Sequence, residues 1–425
     1  MNVRETAWKI LNKCIAAEQY SNIALDTALK RGDFAASDKG LLTAIVYGTL
    51  ERRLTLDYQI ERLSARAVAE IDLETLNLLR IGLYQLIYLD RVPDHAAVNE
   101  TVSLAPRKTR GFVNAILRAF LRGDRQPTLP DRTLDSVAYL SVCYSFAPAI
   151  CEIFLQTFGA ERTESLLAAF CIKPPLTLRV NTLKISRERL IEKLEAAGIC
   201  AAPTMESDTG VVISGASVTE LPGYAEGEFF VQDEASQLCV EALEARAGMQ
   251  VLDACACPGS KSFGAAIDMQ NEGRVVSCDL HKNKLSLVLS GAERLGISTL
   301  SVEARDAREL RAEWVGCFDR VLCDVPCSGF GVFAKKPELR YKDPQKSAAL
   351  PTIQRDILET ASQYVKVGGR LVYSTCTLLP AENQDNVAAF LQAHPAFVLL
   401  RERTLTPDED GCDGFYFAVL EKQNA

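Results

Sequence analysis

The chain has 425 residues, 48% of them hydrophobic, and a formal net charge of −8 at pH 7. This length and composition exclude a small disulfide scaffold and are typical of a soluble chain with two or three packed domains. No run of 18 uncharged apolar residues is present, and the N-terminal stretch MNVRETAWKILNKC resembles an amphipathic helix, not a signal peptide. We therefore expect a cytoplasmic protein with no membrane partner.

Fourteen cysteines are distributed irregularly along the chain. A long chain without a secretion signal favours reduced thiols over a disulfide framework. The pairs Cys255-x-Cys257 and Cys278-x2-His281 could suggest zinc, but the paired CxxC spacing is missing and there are 3 histidines. We expect free thiols and no metal.

The charge is unevenly distributed. Residues 1–125 contain 18 Lys and Arg against 15 Asp and Glu, whereas the rest of the chain contains 29 against 40. Because polyanion binding depends on local patches, a basic N-terminal region is compatible with a nucleic-acid partner. The same excess is also ordinary for a solvated helical surface, so the counts leave both interpretations open.

The N-terminal region, from Val3 to about Arg122, has a helical pattern. One run places apolar side chains at helical spacing: Leu73, Leu76, Leu79, Leu83, Leu86 and Ile87. We predict an all-α domain over residues 1–125. A linker is expected to begin at the stretch GDRQPTLPD, residues 123–131, where glycine and two prolines interrupt the pattern.

The middle region, residues 126–233, is mixed. A helical stretch leads to the strand-like run LTLRVNTLKIS, the charged helix RERLIEKLEAAG and the short strands GVVISG and EFFVQD. We predict a small α+β module here.

Residues 234–425 alternate between strands and helices. The predicted strands are MQVLDAC, GRVVSCDL, STLSVEARD, FDRVLCDVP and GGRLVYSTC, with helices at Lys282–Leu295 and Ile353–Val365. This alternation predicts an α/β Rossmann-like domain with a mostly parallel sheet, in which ligands bind at the carboxyl ends of the strands.

A cofactor turn is predicted after the first of these strands, at Asp253–Lys261. Its Pro-Gly pair at Gly259 precedes a helix, so backbone N–H groups can approach a ligand. Asp279 ends the next strand and could accept hydrogen bonds from ribose hydroxyls, and Asp306 after the third could contact the adenine amino group. Each aspartate alone could be a helix cap, but three in order favour a ligand site. Because the turn is not GxGxxG, S-adenosylmethionine is favoured over a nicotinamide cofactor.

Two thiols and a carboxylate follow the fourth and fifth strands. Asp324 and Cys327 lie in DVPCSG, and Cys376 lies in STC. Most buried cysteines are inert, but two at neighbouring strand ends indicate nucleophilic chemistry. Cytosine C5 becomes nucleophilic once a thiolate adds to C6, and a protonated or proton-sharing Asp324 suits contact with N3. The use of a Pro-Cys cysteine by DNA cytosine-C5 methyltransferases would favour Cys327 as the nucleophile.

Three ordered motifs resemble the Nop2/Sun family, in its branch of bacterial small-subunit ribosomal RNA cytosine-C5 methyltransferases. CACPGSK resembles CAAPGGK, DVPCSGFG resembles DAPCSGTG, and YSTCTLLPAEN resembles YSTCS-x-x-PEEN. The N-terminal region resembles a NusB-type RNA-binding helical domain, and LRVNTLK and FFVQDEAS extend the likeness to the middle module. The resemblance therefore covers nearly the whole chain.

The resemblance implies that Cys376 attacks C6, and that Cys327 assists breakdown of the adduct and product release. It also implies that Asp324 lies between cofactor and base. The implied cofactor is S-adenosylmethionine, and the implied contacts to it are Cys255, Ala256, Cys257, Pro258, Gly259, Ser260, Lys261, Asp279, Asp306 and Asp324. The implied substrate is 16S ribosomal RNA of an unassembled or partly assembled small subunit, bound by a monomer.

The chain departs from the family motifs at three positions. Cys257 stands where alanine is usual, Ser260 where glycine is usual and Phe330 where threonine is usual. Ser260 adds a side chain where backbone approaches the cofactor, so the affinity for the cofactor could differ.

The target cytosine must be unpaired or flipped from its stack before a thiolate can reach it. The basic candidates for phosphate contacts are Arg107, Lys108, Arg110, Lys335, Lys336 and Arg340. Each alone also fits a solvated surface charge, although Lys335 and Lys336 are favoured because they follow the Pro-Cys motif. Two alternatives stay open: a transfer RNA cytosine-C5 methyltransferase, and a catalytically impaired RNA-binding homologue.

Overall fold

The computed structural model describes residues 2–16, 21–214 and 217–424. Its contacts divide the chain into two compact units. The helical unit is the chain up to Cys171 together with Lys336–Pro344, and the sheet unit is formed by Ile172–Lys335 and the chain from Gln345 onward. Within the described ranges no single helix is long and apolar enough to cross a membrane. One pair of helices, 136–144 and 148–169, meets the length and composition limits together but is bent by 114°.

The helical unit confirms the predicted helical pattern. The predicted apolar stripe lies on one helix, where Leu76, Leu79 and Leu83 are buried. The side chain of Asp72 accepts a hydrogen bond from Thr75 N and so caps the start of that helix. The helices of this unit are α1 (Val3–Ala16), α2 (Ser21–Arg31), α3 (Ala36–Glu51), α4 (Arg53–Ser64), α5 (Leu73–Tyr88), α6 (Asp94–Leu104), α7 (Arg110–Arg122), α8 (Ser136–Tyr144) and α9 (Pro148–Ala169).

The helices α8 and α9 lie in the helical unit, although the sequence pattern assigned them to the middle module. The proline-rich stretch before them is a turn within this unit. Gln59 on α4 accepts a hydrogen bond from Thr128 N at 2.9 Å and donates one to Thr128 O at 2.8 Å. Glycine and proline mark a change of chain direction, and only the packing on either side shows whether two units meet there.

A short segment of the C-terminal half, Lys336–Pro344, also belongs to the helical unit. Arg340 is buried, and its guanidinium donates hydrogen bonds to Glu51 O at 3.1 Å and Phe170 O at 2.6 Å. The ring of Tyr341 lies under the guanidinium of Arg53, 3.7 Å from the ring centroid. Nothing in the local sequence pattern indicated this return of the chain.

The sheet unit begins with a four-stranded antiparallel sheet in the order β2-β3-β1-β4. It confirms the α+β character predicted for the middle region and the strands and helix predicted there. Its elements are β1 (Leu176–Val180), α10 (Arg187–Ala196), β2 (Ala201–Pro203), β3 (Gly210–Ile213) and β4 (Phe229–Val231). Arg179 on β1 is fully buried and donates to Asp268 at 2.7 Å, which ties this small sheet to the larger one that follows.

The larger sheet has seven strands in the order β10-β11-β9-β8-β5-β6-β7. The five predicted strands are parallel, and the last two add antiparallel pairs at one edge. The mostly parallel Rossmann-like sheet is therefore confirmed. Its elements are α11 (Glu234–Leu243), β5 (Gln250–Asp253), α12 (Ser260–Asp268), β6 (Arg274–Asp279), α13 (Leu285–Leu295), β7 (Leu300–Ala304), β8 (Phe318–Asp324), α14 (Leu350–Tyr364), β9 (Val365–Thr375), α15 (Gln384–Ala393), β10 (Phe397–Leu405) and β11 (Phe415–Lys422).

Helices cover both faces of this sheet. Side chains of α11, α12 and α13 pack in one apolar cluster, and those of α14 and α15 pack in another. Since β5 lies between β6 and β8, the chain winds outward in both directions from it, and a crevice forms at the carboxyl ends of the central strands. The carboxyl ends of β5, β6, β8 and β9 therefore form the edge at which the site is built.

Candidate active site

The turn after β5 leads directly into α12. Gly259 has φ +113°, a conformation that favours glycine, and α12 begins at the next residue. The N–H of Ala256 donates a hydrogen bond to Cys278 O at 2.7 Å, and the N–H of Cys257 donates one to Asp279 Oδ2 at 3.3 Å. The first N–H groups of α12, at Ser260 and beyond, have no intrahelical acceptor and are the ones available to an anionic or polar ligand.

Asp279 is half-buried at the end of β6. Its second carboxylate oxygen accepts a hydrogen bond from His281 N at 2.8 Å. Each carboxylate oxygen can accept a further bond, so the group retains capacity for two hydroxyls. The geometry at Asp279 is compatible with the ribose contact that the sequence predicts.

Asp306 follows β7 and has a partner that the sequence analysis did not anticipate. Its carboxylate accepts hydrogen bonds from the guanidinium of Arg308, the shortest at 2.6 Å. This pairing lowers the pKa of Asp306 below its usual range. A contact between Asp306 and an adenine amino group must therefore share the carboxylate with Arg308.

Lys261, predicted among the cofactor contacts, directs its ammonium at Asp324. Its Nζ lies 2.6 Å from Asp324 Oδ2, and Ser374 Oγ donates to Asp324 Oδ1 at 2.9 Å. Burial lowers the pKa of Lys261, but the nearby Asp324 and the thiols of Cys239 and Cys376 outweigh it, so the net pKa is raised. Both oxygens of Asp324 are acceptors here, so its carboxylate is held between the ammonium of Lys261 and the hydroxyl of Ser374.

The two predicted cysteines meet. Cys327, in the loop after β8, has its Sγ 3.2 Å from the Sγ of Cys376, which follows β9. The hydrogen bond with Cys376, burial and the charge of Glu382 raise the pKa of Cys327 well above its usual value. The pair therefore places two sulfur atoms at neighbouring strand ends, in different electrostatic surroundings.

A buried polar network lies behind the pair, and the sequence analysis assigned no role to its members. Glu382 Oε2 accepts hydrogen bonds from Ser328 N at 2.9 Å and from Gln354 Nε2 at 2.8 Å. Ser328 Oγ also donates to Thr377 Oγ1 at 2.8 Å. A signal was present, because Gln354 is a fully buried amide on the apolar face of α14 and Glu382 lies in the PAEN stretch.

The three departures from the family motifs have separate structural settings. Phe330 is fully buried and its ring centroid lies 5.3 Å from that of Phe333, so it fills core volume. Burial and the neighbouring Asp279 raise the pKa of Cys257 to about 12, so this thiol stays protonated at neutral pH. Ser260 is the first residue of α12 and is half-buried.

Two of the predicted phosphate contacts have structural roles, which corrects the sequence analysis. Lys335 Nζ lies 2.5 Å from Asp233 Oδ2 and 2.7 Å from Asp413 Oδ2, so its charge is balanced within the sheet unit. Arg340 is buried in the helical unit, as described above. Lys335 stays exposed but is held by two carboxylates, whereas the guanidinium of Arg340 is buried against backbone carbonyls.

The remaining predicted phosphate contacts are exposed. They are Arg107, Lys108, Arg110 and Lys336. The guanidinium of Arg110 also donates to Ala105 O at 3.2 Å, which orients it without neutralising it. These four stay candidates for phosphate contacts.

The chain matches three family models. Residues 240–421 match the 16S rRNA methyltransferase RsmB/F family, residues 1–122 match the NusB family, and residues 150–219 match the ferredoxin-like domain of RsmF/B-like methyltransferases. The last match bridges the boundary between α9 and the four-stranded sheet. Together the matched ranges span the helical and the sheet regions predicted from sequence.

Relatives of similar length support the same assignment. The chain is 36% identical over 447 residues to the "Probable ribosomal RNA small subunit methyltransferase B" of Bacillus subtilis, with 99% of each protein covered. It is 34% identical to the ribosomal RNA small subunit methyltransferase B of Pseudomonas syringae pv. tomato, covering 99% of this chain and 97% of the relative. The crystal structure of PH0851 has the same fold, with a TM-score of 0.83 at 24% identity and 99% of each chain covered. The resemblance to the RsmB (Sun/Fmu) branch of the Nop2/Sun family is thereby confirmed, and the chain belongs to the RsmB/F family of 16S rRNA methyltransferases.

Proposed function

We propose that this chain transfers a methyl group from S-adenosylmethionine to C5 of a cytosine in 16S ribosomal RNA through a covalent adduct between Cys376 and C6. The observation that carries the proposal is the 3.2 Å approach of Cys327 and Cys376 sulfurs beside the Lys261–Asp324 ion pair. A thiolate and a proton-carrying pair are the groups that addition to a cytosine ring requires, and a second thiol can assist breakdown of the adduct. Membership of the RsmB/F family of 16S rRNA methyltransferases supports ribosomal RNA as the substrate.

The residues around the cofactor turn fit S-adenosylmethionine. Asp279 and Asp306 follow neighbouring strands, so both carboxylates can serve one adenosine, and the N-terminal N–H groups of α12 face the same edge of the sheet. When bound, S-adenosylmethionine supplies an electrophilic methyl group. Asp279 would hold the ribose and Asp306 the adenine amino group.

The electrostatics favour Cys376 as the nucleophile. Lys261 and Cys376 attract each other, which stabilises a thiolate at Cys376. The hydrogen bond with Cys376 and burial raise the pKa of Cys327, and the charge of Glu382 adds to this increase. The charges around the two thiols agree with the nucleophilic role that the resemblance implies for Cys376. They disagree with the choice of Cys327 by analogy to DNA enzymes.

The reaction then follows from these positions. Cys376 Sγ adds to C6 while Lys261, through Asp324, provides a proton at N3, and C5 becomes a carbon nucleophile. After C5 is methylated, N3 returns its proton to the Lys261–Asp324 pair and the C5 proton passes to water. The bond from C6 to Cys376 then breaks, and its electron pair returns to sulfur. Cys327 assists this last step. The net change replaces one hydrogen on C5 by methyl and releases one proton.

The experiment is methyl transfer from labelled S-adenosylmethionine to unmodified 16S ribosomal RNA, with transfer RNA in a parallel reaction. We expect label on C5 of cytosine in ribosomal RNA, no transfer by Cys376→Ala, and a trapped protein–RNA adduct with Cys327→Ala. An adduct that accumulates with Cys376→Ala would reverse the two roles. Label on transfer RNA alone, or RNA binding without any transfer, would refute the proposed substrate or activity.

A further inference from the structure

Glu382 is a buried carboxylate that the proposed reaction leaves without a role. It ends the short 3-10 turn Pro380–Glu382 after the second cysteine, and it is 2% exposed. The two donors to its Oε2 are neutral, the backbone N–H of Ser328 and the side-chain amide of Gln354. Burying a carboxylate on neutral donors is unfavourable, so its position suggests that the charge itself is used.

The hydrogen bonds of Glu382 and Gln354 hold the backbone on both sides of Cys327. The carboxylate of Glu382 accepts a hydrogen bond from the N–H of Ser328, which follows Cys327, at 2.9 Å. The amide of Gln354 donates to the carbonyl of Pro326, which precedes Cys327, also at 2.9 Å. Gln354 donates to Glu382 as well, so the two side chains act as one clamp. The clamp fixes where the Cys327 sulfur lies relative to Cys376.

The backbone of Glu382 is anchored in turn. Tyr373 on β9 donates its hydroxyl to Glu382 O at 2.6 Å. Asn386 on α15 donates to Gln354 Oε1 at 2.9 Å. Glu382 is therefore held by bonds from β9 and α14, and its α14 partner is held in turn by α15.

The charged and titratable groups around Cys327 differ in sign from one side to the other. From the end of β9 it faces Tyr373 and Cys376, from the turn it faces Glu382, and from α14 it faces the neutral Gln354. Lys261 of α12 pairs with Asp324 and attracts Cys376. The positive charge thus lies with Cys376, and an unpaired negative charge lies with Cys327.

We propose that Glu382 is a positioning residue that keeps Cys327 a neutral thiol, so that Cys327 donates its S–H to Cys376 and Cys376 alone carries the negative charge. The proposal rests on the proposed two-cysteine reaction and deepens it. When the bond between C6 and Cys376 breaks, the electron pair that returns to Cys376 is stabilised by the S–H of Cys327 at 3.2 Å. Cys327 then assists release without itself gaining or losing a proton.

The test is the pH dependence of alkylation of each cysteine by iodoacetamide, in which a thiolate displaces iodide, followed by mass spectrometry on the whole chain. Glu382→Gln keeps an acceptor oxygen and the side-chain shape but removes the charge. We expect Cys327 to alkylate several-fold faster at pH 8 in this variant, because the charge of Glu382 is one of the causes that raise its pKa and a lower pKa increases the thiolate fraction. The matched control is Asp385→Asn, an exposed carboxylate three residues away, which should leave both profiles unchanged.

A second pair of variants separates the effect of the Glu382 charge from the effect of the other thiol. Its result does not depend on whether Glu382→Gln folds. In Cys376→Ser, Cys327 should still alkylate more slowly than Cys376 does in Cys327→Ser. Equal rates in those two variants, or an unchanged Cys327 profile in Glu382→Gln, would overturn the proposal. Since the assay uses neither RNA nor cofactor, its result is independent of whether native chain methylates ribosomal RNA.

A readout during turnover distinguishes positioning from simple loss of structure. Glu382→Gln should accumulate the covalent protein–RNA adduct, because a Cys327 that is partly thiolate repels the leaving sulfur. A variant that merely loosened the loop would form less adduct. Finding less adduct in Glu382→Gln than in native chain would therefore contradict the assigned role.

Discussion

Replacement of Lys261 by methionine is expected to remove most methyl transfer while leaving the fold intact. The ammonium lies 2.6 Å from Asp324 Oδ2, and the two side chains are 10% and 29% exposed. Methionine retains most of the apolar stem but removes the ammonium, which lies 5.1 Å from the ring centroid of Phe415. The carboxylate of Asp324 would keep its bond from Ser374 Oγ and lose its cation.

The magnitude follows from the burial of the pair. Removing one partner of a buried ion pair costs roughly 3–5 kcal/mol, and water reaching the partly exposed Asp324 reduces this to about 3 kcal/mol. Lys261 is proposed to supply the proton at N3 and to stabilise the thiolate of Cys376 in the transition state. If most of this free energy is lost from the transition state, the rate of methyl transfer falls by about two orders of magnitude.

The assay is single-turnover methyl transfer to 16S ribosomal RNA, and the same strand offers a matched control. Lys366 pairs with Asp319 at the opposite end of β8, with a distance of 2.8 Å and exposures of 39% and 28%. Lys366→Met removes a similar ion pair far from the thiols and should change the rate less than about twofold. Its effect on thermal unfolding should be comparable to or smaller than that of Lys261→Met.

Two results would refute this reasoning. Transfer at the native rate by a folded Lys261→Met chain would show that the ammonium supplies neither the proton nor the stabilising charge. An equal loss of transfer in Lys261→Met and Lys366→Met would show that the rate depends on general stability of the sheet, not on the charge at the site.

Three further predictions concern stability and binding. Burial raises the pKa of Asp253 to about 7. The folded state therefore binds this proton more tightly than the unfolded state does. The contribution of Asp253 to the free energy of unfolding falls by about 4 kcal/mol as pH rises from 4 through 7. Asp253→Asn should flatten the pH dependence of urea unfolding over that range, and an unchanged slope would contradict the assignment. Arg340→Met removes two charge-assisted bonds to buried carbonyls and should lower the unfolding free energy of the helical unit by about 3 kcal/mol, measured by urea denaturation, whereas exposed Lys336→Met should change it by less than about 0.5 kcal/mol. Asp279→Ala should weaken binding of S-adenosylmethionine, measured by calorimetry, by on the order of tenfold to a hundredfold, since it removes two charge-assisted bonds; native affinity in this variant would exclude the ribose contact.

The local pattern was sufficient for part of the secondary structure. The five parallel strands and the helices at Lys282–Leu295 and Ile353–Val365 were predictable because burial on both faces imposes continuous apolar runs and helices impose a 3.6-residue period. The pattern did not predict β2, β10 or β11, and α14 begins at Leu350, three residues before the predicted start. The positions of Asp279, Asp324, Cys327 and Cys376 at strand ends followed from the same pattern. In a parallel sheet those ends share one edge, so their convergence was also predictable.

The partners of individual charged side chains were not predictable. Lys335 and Arg340 follow the Pro-Cys motif and were predicted to contact phosphate, yet Lys335 is balanced by Asp233 and Asp413 and Arg340 is buried against carbonyls. These partners are separated by 78 to 289 residues in sequence. No local period or motif carries information about contacts of that separation.

The sequence by itself determined the classes of element, the cofactor turn and the presence of two thiols at strand ends, because each depends on short-range patterns and on the chemistry of single residues. Tertiary structure alone decided that Lys261 faces Asp324, that the two sulfurs lie 3.2 Å apart and that Glu382 lies behind Cys327. It also decided that α8 and α9 belong with the helical unit. The physical reason is that strand order, register and packing bring together side chains from distant segments, and the electrostatics of the site exist only once they are together.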